Sequence, residues 1–194
     1  DGFKNLRQYG GLSGFPKREE SPCDAYDTGH SSTSISAGVG YVCASKVSGE
    51  EYHVVSVIGD GALTGGMAYE ALNNAASLNK NFVIVLNDNK MSISENVGGI
   101  SSYLSNLRTA ESYTDLKSEV KKTLNKVPGI GPVMVQRIHK TKDSIKQLMI
   151  PGMFFEDMGI KYLGPVNGHD CGRMIQIFQE AKKVNGPVLV HVQT

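Results

Sequence analysis

The stretch VVSVIGDGALTGG, residues 54–66, ends an apolar run on a carboxylate held between two glycines. The Val- and Ile-rich run predicts a strand over 53–58. A helical pattern follows at 64–79, with Met67, Ala71, Ala75 and Leu78 on one face. In open parallel sheets, ligands gather at the carboxyl ends of the strands, so Asp60 stands where a ligand binds. Gly59 and Gly61 carry no side chain to block close approach. The helix after them turns its first N–H groups and its positive end to the same place, which favours an anion. A carboxylate beside an anion repels it unless a cation lies between. The pattern therefore asks for a divalent metal and a phosphate together.

Mg²⁺ takes octahedral oxygen ligands, commonly one or two carboxylates or amides plus phosphate oxygens. The second protein ligand is expected from the carboxyl end of the next parallel strand. That strand reads as FVIVLN, 82–87, a continuous apolar run of the kind found in sheets covered on both faces. It ends in NDNKMS, so Asn87, Asp88 and Asn89 stand at the expected position, one helix and one strand beyond Gly61. Strand-end geometry alone does not choose between Asp88 and Asn89. A lone Gly-Asp-Gly is also an ordinary turn; the strand before it, the helix after it and the Asn-rich strand end make the metal reading the stronger one.

The remaining segments repeat the alternation. Ile35, Val39, Val42 and Cys43 predict a helix from 34 to 46, with Ser31 to Ser34 as N-cap candidates. Residues 153–159 and 172–183 read as helices, and IKYLGPV (160–166) and PVLVHVQ (187–193) as strands. Residues 1–28 are rich in Gly, Pro and charge and read as loop. Residues 101–150 are polar and Lys-rich, with a helical pattern, and read as an insertion or lid packed on the core. The expected fold is α/β, one domain over 1–194 with a mostly parallel sheet flanked by helices. Asp170, with His169, is a helix-cap candidate, whereas His53, His139 and His191 carry no specific signal.

Composition narrows the function classes. The chain has 194 residues, 40% hydrophobic and 20% charged, with a formal net charge of +1. One domain of that length buries ~70% of its unfolded surface. So small a net charge gives no reason to expect a nucleic-acid or membrane surface. Cys23, Cys43 and Cys171 form an odd set without C-x-x-C spacing, which suits reduced thiols in a cytoplasmic protein. No apolar run approaches the roughly 18 residues of a membrane span. A rival from another class lies at 127–147: Pro-Gly-Ile-Gly before an apolar, basic helix is the pattern of a DNA-gripping helix-hairpin-helix. The charge balance weighs against it.

The segment GDGALTGGMAYEALNNAASLNKNFVIVLNDN resembles the thiamine-diphosphate signature, Gly-Asp-Gly followed after such a spacer by Asn. More narrowly, GHSSTSISAGVG, VIGDGALTGGMAYEALNNA, VLNDNKMSISENVG and YLGPVNGHD, in this order and over nearly the whole chain, resemble the transketolase-like 1-deoxy-D-xylulose-5-phosphate synthase family. The resemblance implies a thiamine-diphosphate-binding fold with thiamine diphosphate and Mg²⁺ as cofactors. It implies Asp60, the side chain of Asn89 and the backbone carbonyl of Met91 as metal ligands. Gly61 and Ala62 would touch the diphosphate, with Gly29, His30, Ser31 and Asn89 also at the cofactor. The implied reaction joins pyruvate to D-glyceraldehyde 3-phosphate with loss of CO₂, in a cytoplasmic homodimer. Another transketolase-like enzyme is the nearest alternative. In the family, the glutamate that activates the aminopyrimidine ring lies in a second domain. The chain, which begins DGFKNL without an initiator Met, is therefore expected to be roughly the first third of a three-domain enzyme, trimmed at its start. It would hold the diphosphate half of the site and be inactive alone, and no catalytic residue is assigned within it.

Overall fold

A computed structural model describes residues 2–91, 97–109 and 153–194. After a short 3-10 turn at Gly2–Asn5, the elements in chain order are α1 (Ser34–Ser48), β1 (Val55–Gly59), α2 (Asp60–Leu63), α3 (Gly66–Ala75), β2 (Phe82–Asp88), α4 (Gly99–Thr109), α5 (Met153–Asp157), β3 (Lys161–Asn167), α6 (Cys171–Ala181) and β4 (Pro187–Gln193). The four strands form one sheet in the order β1-β2-β4-β3. All three pairings are parallel. The α/β expectation holds, and every strand read from the sequence is present within two residues of its place.

The sheet has two apolar faces because successive side chains along a strand point to opposite sides. On one face Ile58, Phe82, Ile84, Leu86, Leu189 and Tyr162 pack with side chains of α1, α3, α4 and α5. On the other, Val83, Val85, Val166, Val188, Val190 and Val192 pack with Ile177 and Ala181 of α6. Cover on both faces explains the apolar run of β2 and that of β4, which only His191 interrupts. The edge strand β1 differs: among the described residues its second face is open, leaving Val55 and Val57 exposed.

Helix α1 lies close on β1 and β2, and Gly38 sets that distance. A Cβ there would run into Ser56 Oγ and lie 2.6 Å from the Phe82 ring. Gly38→Ala should therefore destabilise the domain by about 1–3 kcal/mol despite its better helix propensity, the usual cost of overpacking. Chemical unfolding of the variant checks this; equal or higher stability would mean that α1 shifts freely.

Three details depart from the sequence reading. The segment 64–79 is not one helix: α2 ends at Leu63, and Gly65 is extended (φ −73°, ψ 140°) before α3 starts. Thr64 Oγ1 donates to the Gly61 carbonyl and closes the first turn. The restart rotates the buried face, so Ala68, Ala71, Leu72 and Ala75 are inside and Met67 is exposed. In α1 the buried stripe is Ile35, Gly38, Val39, Val42 and Ser45, and Cys43 faces out. Thr33 occupies the N-cap of α1, without a side-chain cap bond. Asp170 does cap α6, its Oδ1 accepting the Arg173 amide at 2.9 Å.

The helical pattern at 101–150 is seen in its first part, 101–109, as α4. Leu104 and Leu107 of α4 are buried in the main core, so this part is anchored rather than peripheral. The rest of the lid reading and the helix-hairpin-helix pattern at 127–147 fall outside the described residues.

Candidate functional site

The carboxyl ends of the strands collect the polar residues that the apolar strands lack. Gly59 and Asn87 sit abreast in the β1–β2 register, so Asp60 and Asp88 follow them side by side. Gly59, extended at φ −78° and ψ 155°, is the N-cap of α2, and Asp60 is its first residue. The Asp60 carboxyl is buried, 2% exposed, and so is Asp88, also 2%. The two carboxyls hydrogen-bond each other. Burial, then the hydrogen bond and charge of Asp88, push the Asp60 carboxyl above its ordinary range, while the amides of Gly61 and of Asp60 itself pull it down. Two carboxyls so close and so dry cannot both ionise without a cation.

Asp88 is held at both oxygens. Its Oδ1 accepts the Lys90 amide at 3.2 Å. Its Oδ2 lies 2.9 Å from Nε2 of His191, a side chain with no solvent exposure. His191 Nδ1 lies 2.7 Å from the Tyr162 hydroxyl. Burial pushes the Tyr162 phenol far up, so it keeps its proton and donates to Nδ1. The remaining ring proton is then on Nε2 and is donated to Asp88, a tautomer assigned from the network. Asp60, Asp88, His191 and Tyr162 form one buried polar row across β1, β2, β4 and β3.

Asn89 and Met91 lie just past β2 and are exposed. The Asn89 Oδ1 accepts the Met91 amide at 2.9 Å, which folds the chain back at the strand end. Asn87 points away from Asp60 along the opposite face, and its Oδ1 accepts from the Thr194 hydroxyl at 3.1 Å. Thus Asp88, rather than Asn89, touches Asp60, and Asn89 follows as an exposed residue one position along the chain.

The loop before α1 joins the same edge. Ser32 Oγ donates to the Ala62 carbonyl at 2.7 Å, tying residues 29–32 to the Gly-Asp-Gly turn. A Cβ on Gly65 would come 3.0 Å from Ser32 Cβ, so the turn and the loop are in close contact. Gly29, His30 and Ser31 are exposed beside it, with His30 Nδ1 2.6 Å from the Ser31 carbonyl. Gly61 and Ala62 are half-buried in the turn. Ser32 and Lys90 both have left-handed backbones, φ 68° and 66°. Such non-glycine conformations cost of order 1–3 kcal/mol and gather at ligand clamps; here they flank Asp60 from both sides.

A family model described as 1-deoxy-D-xylulose-5-phosphate synthase matches residues 1–194. The chain belongs to the 1-deoxy-D-xylulose-5-phosphate synthase family. It is 57% identical to the 1-deoxy-D-xylulose-5-phosphate synthase of Lachnoclostridium phytofermentans over 192 residues, covering 99% of this chain and 31% of that protein. It is also 57% identical over 194 residues to the synthase of Clostridium botulinum strain Alaska E43, covering 100% and 31%. The chain thus spans about a third of the length of these synthases. Among solved structures, it resembles transketolase from Leishmania mexicana (TM-score 0.62, 20% identity, 100% of this chain and 24% of that one). Transketolase from Campylobacter jejuni is similar (TM-score 0.60, 19% identity, 98% and 24%). At those identities the likeness establishes the α/β fold.

The donor set of this synthase-family domain suits a hard cation. Asp60 offers a buried carboxylate oxygen and Asn89, just past the neighbouring strand end, an amide oxygen. Among the described residues no cluster of three or more His, Cys, Asp or Glu side chains is placed to hold a metal by itself. A cation here needs oxygens from a ligand to complete its shell.

Sequence reading overlooked His191, Tyr162 and Ser32. A signal for the first two was present: each is a polar residue inside an apolar strand, and the parallel register, His191 beside Leu86 and Tyr162 beside Leu189, puts both on the sheet face of Asp88, from which the row runs diagonally. Ser32 gave no signal beyond its place among cap candidates.

Proposed function

We propose that this domain binds the diphosphate of thiamine diphosphate through Mg²⁺, as part of a synthase that condenses pyruvate with D-glyceraldehyde 3-phosphate to 1-deoxy-D-xylulose 5-phosphate and CO₂. The observation that carries the reading is the paired buried carboxyl of Asp60 at the carboxyl edge of the sheet, with the exposed Asn89 just past the neighbouring strand end, in a chain of this family. Asp60, the Asn89 side chain and the Met91 carbonyl hold the metal. Gly61 and Ala62 lie against the diphosphate because the glycine leaves the turn open. Gly29, His30 and Ser31 close the site from the loop that Ser32 ties to Ala62. Thr33 takes up no α1 amide with its side chain, which leaves the first turn of a 15-residue helix facing that loop.

When bound, the cofactor supplies the carbon nucleophile that the protein lacks. The residues of this domain would bind and orient it: Asp60, Asn89 and Met91 would hold a metal against the diphosphate, and the rigid strand ends would fix its position. We place the domain, residues 1–194, at the diphosphate half of a longer multidomain enzyme, cytoplasmic and homodimeric. Among the described residues no helix is long and apolar enough to cross a membrane.

The test is a steady-state assay of the full-length protein with pyruvate, glyceraldehyde 3-phosphate, thiamine diphosphate and Mg²⁺. Formation of 1-deoxyxylulose 5-phosphate is expected. Ketol transfer between sugar phosphates without use of pyruvate would assign it instead to another transketolase-like activity. At residue level, Asn89→Ala should weaken Mg²⁺-dependent cofactor binding, whereas Asn87→Ala should matter less because its amide serves Thr194 on the other face. Calorimetry on both variants checks the order; the reverse order would exchange the two roles.

A further inference from the structure

The row Asp88–His191–Tyr162 is more elaborate than packing requires. An apolar triad would fill the same space in the sheet, and buried ionic pairs are often no better for stability than apolar replacements. The row nevertheless crosses three strands and ends against Asp60. His191 has no solvent exposure and Tyr162 only 7%. Phe155 stacks flat on Tyr162, with centroids 6.0 Å apart and planes 5° apart. On the backbone side, a Cβ at Gly164 would lie 2.6 Å from the His191 carbonyl oxygen, so β3 closes tightly on β4. Both rings are enclosed in the core.

We propose that His191 and Tyr162 are positioning residues of the metal site: the Tyr162 hydroxyl fixes the ring tautomer of His191, His191 Nε2–H clamps Asp88, and the clamped Asp88 carboxyl orients Asp60 toward the cation. This rests on the proposed reading of the site as a Mg²⁺–diphosphate centre. Asp88 is suited to the task because both its oxygens are already engaged, one by the Lys90 amide and one by His191. A carboxyl fixed at both ends cannot rotate to follow Asp60; Asp60 must conform to it. Outer-shell partners of metal ligands act in this way, and their loss typically weakens metal binding.

The experiment is Mg²⁺ titration of the full-length protein in the presence of thiamine diphosphate, read by calorimetry, for wild type, Tyr162→Phe, His191→Leu and His191→Gln. His191→Leu should weaken Mg²⁺ binding by roughly 10- to 100-fold, with Tyr162→Phe toward the lower end of that range. His191→Gln keeps an N–H donor near the Nε2 position and should recover most of the loss. A purely structural row would lower the melting temperature of the metal-free variants yet leave the Mg²⁺ affinity of the folded protein unchanged, and that result overturns the proposal. Should His191→Leu fail to fold, Tyr162→Phe, which removes one oxygen, decides by the same criterion. A wild-type protein that binds no Mg²⁺ with the cofactor overturns the site reading and this inference together. Wild-type binding with unaltered variants overturns the inference alone.

Discussion

Replacing Asp60 with asparagine is expected to abolish Mg²⁺-dependent binding of thiamine diphosphate by the full-length protein while making the metal-free protein more stable. The loss follows from the donor set. Asp60 is the carboxylate proposed to face the cation, and an amide in its place leaves only neutral protein oxygens. Outer-shell losses alone cost roughly 10- to 100-fold in metal affinity, so loss of this ligand should cost about 100-fold or more. The gain in stability follows from the neighbour. Without metal, Asp60 and Asp88 are buried against each other, and Asp60 is held above its ordinary carboxyl range by burial and by Asp88. The folded chain then binds that proton more tightly than the unfolded chain. The group's contribution is fully present below the ordinary carboxyl range and is lost as the pH rises through the raised value. Asparagine carries no such proton and donates an N–H to Asp88 instead. At neutral pH the metal-free variant should melt above wild type, and the gap should shrink as the pH falls into the carboxyl range. Melting curves across pH, with calorimetry for the cofactor, check both halves. Retained Mg²⁺-dependent binding, or a lower melting temperature at every pH, would contradict the assignment.

The largest stability effect is expected at Asp88. Asp88→Ala removes the partner of His191 Nε2 and of the Lys90 amide, and leaves Asp60 buried without its neighbour. Stranding a buried hydrogen-bond donor costs about 1–3 kcal/mol, and here the neutral His191 Nε2–H and the Lys90 amide both lose their acceptor. Asp88→Asn is the contrast: its oxygen accepts from His191 and its N–H₂ donates to Asp60 while only the Lys90 amide loses its acceptor, so this variant should lose clearly less stability than Asp88→Ala. Urea unfolding of the two variants gives the comparison. If Asp88→Ala proves as stable as Asp88→Asn, the row does not contribute to the fold.

Much of this was legible from residue order, and the limits have physical causes. The strands 82–87 and 187–193 were readable because a β-strand covered on both faces is mostly apolar, and β2 and, apart from His191, β4 are. The Gly-Asp-Gly turn was readable as the end of β1 because two glycines around a carboxylate interrupt the apolar run. The break between α2 and α3 was harder: Thr64, Gly65 and Gly66 are tolerated in a helix, and only the turn closed by Thr64 on Gly61 splits it. The distinction between Asp88 and Asn89 could not be read from spacing, since neighbouring residues of a strand end point to opposite sides and the sheet decides which is inside. His191 looked inert for a related reason. Its meaning depends on pairing with a strand 103 residues away in sequence, and no local pattern carries that.

The most direct test is crystallographic. Crystals of the full-length protein grown with thiamine diphosphate and Mn²⁺ in place of Mg²⁺ allow the metal to be located by its anomalous scattering. A single strong peak is expected within coordination distance of an Asp60 carboxylate oxygen, the Asn89 side-chain oxygen, the Met91 carbonyl and two diphosphate oxygens. A metal bound away from Asp60, or a cofactor bound with its diphosphate away from the Gly59–Ala62 turn, would contradict the reading of the whole edge.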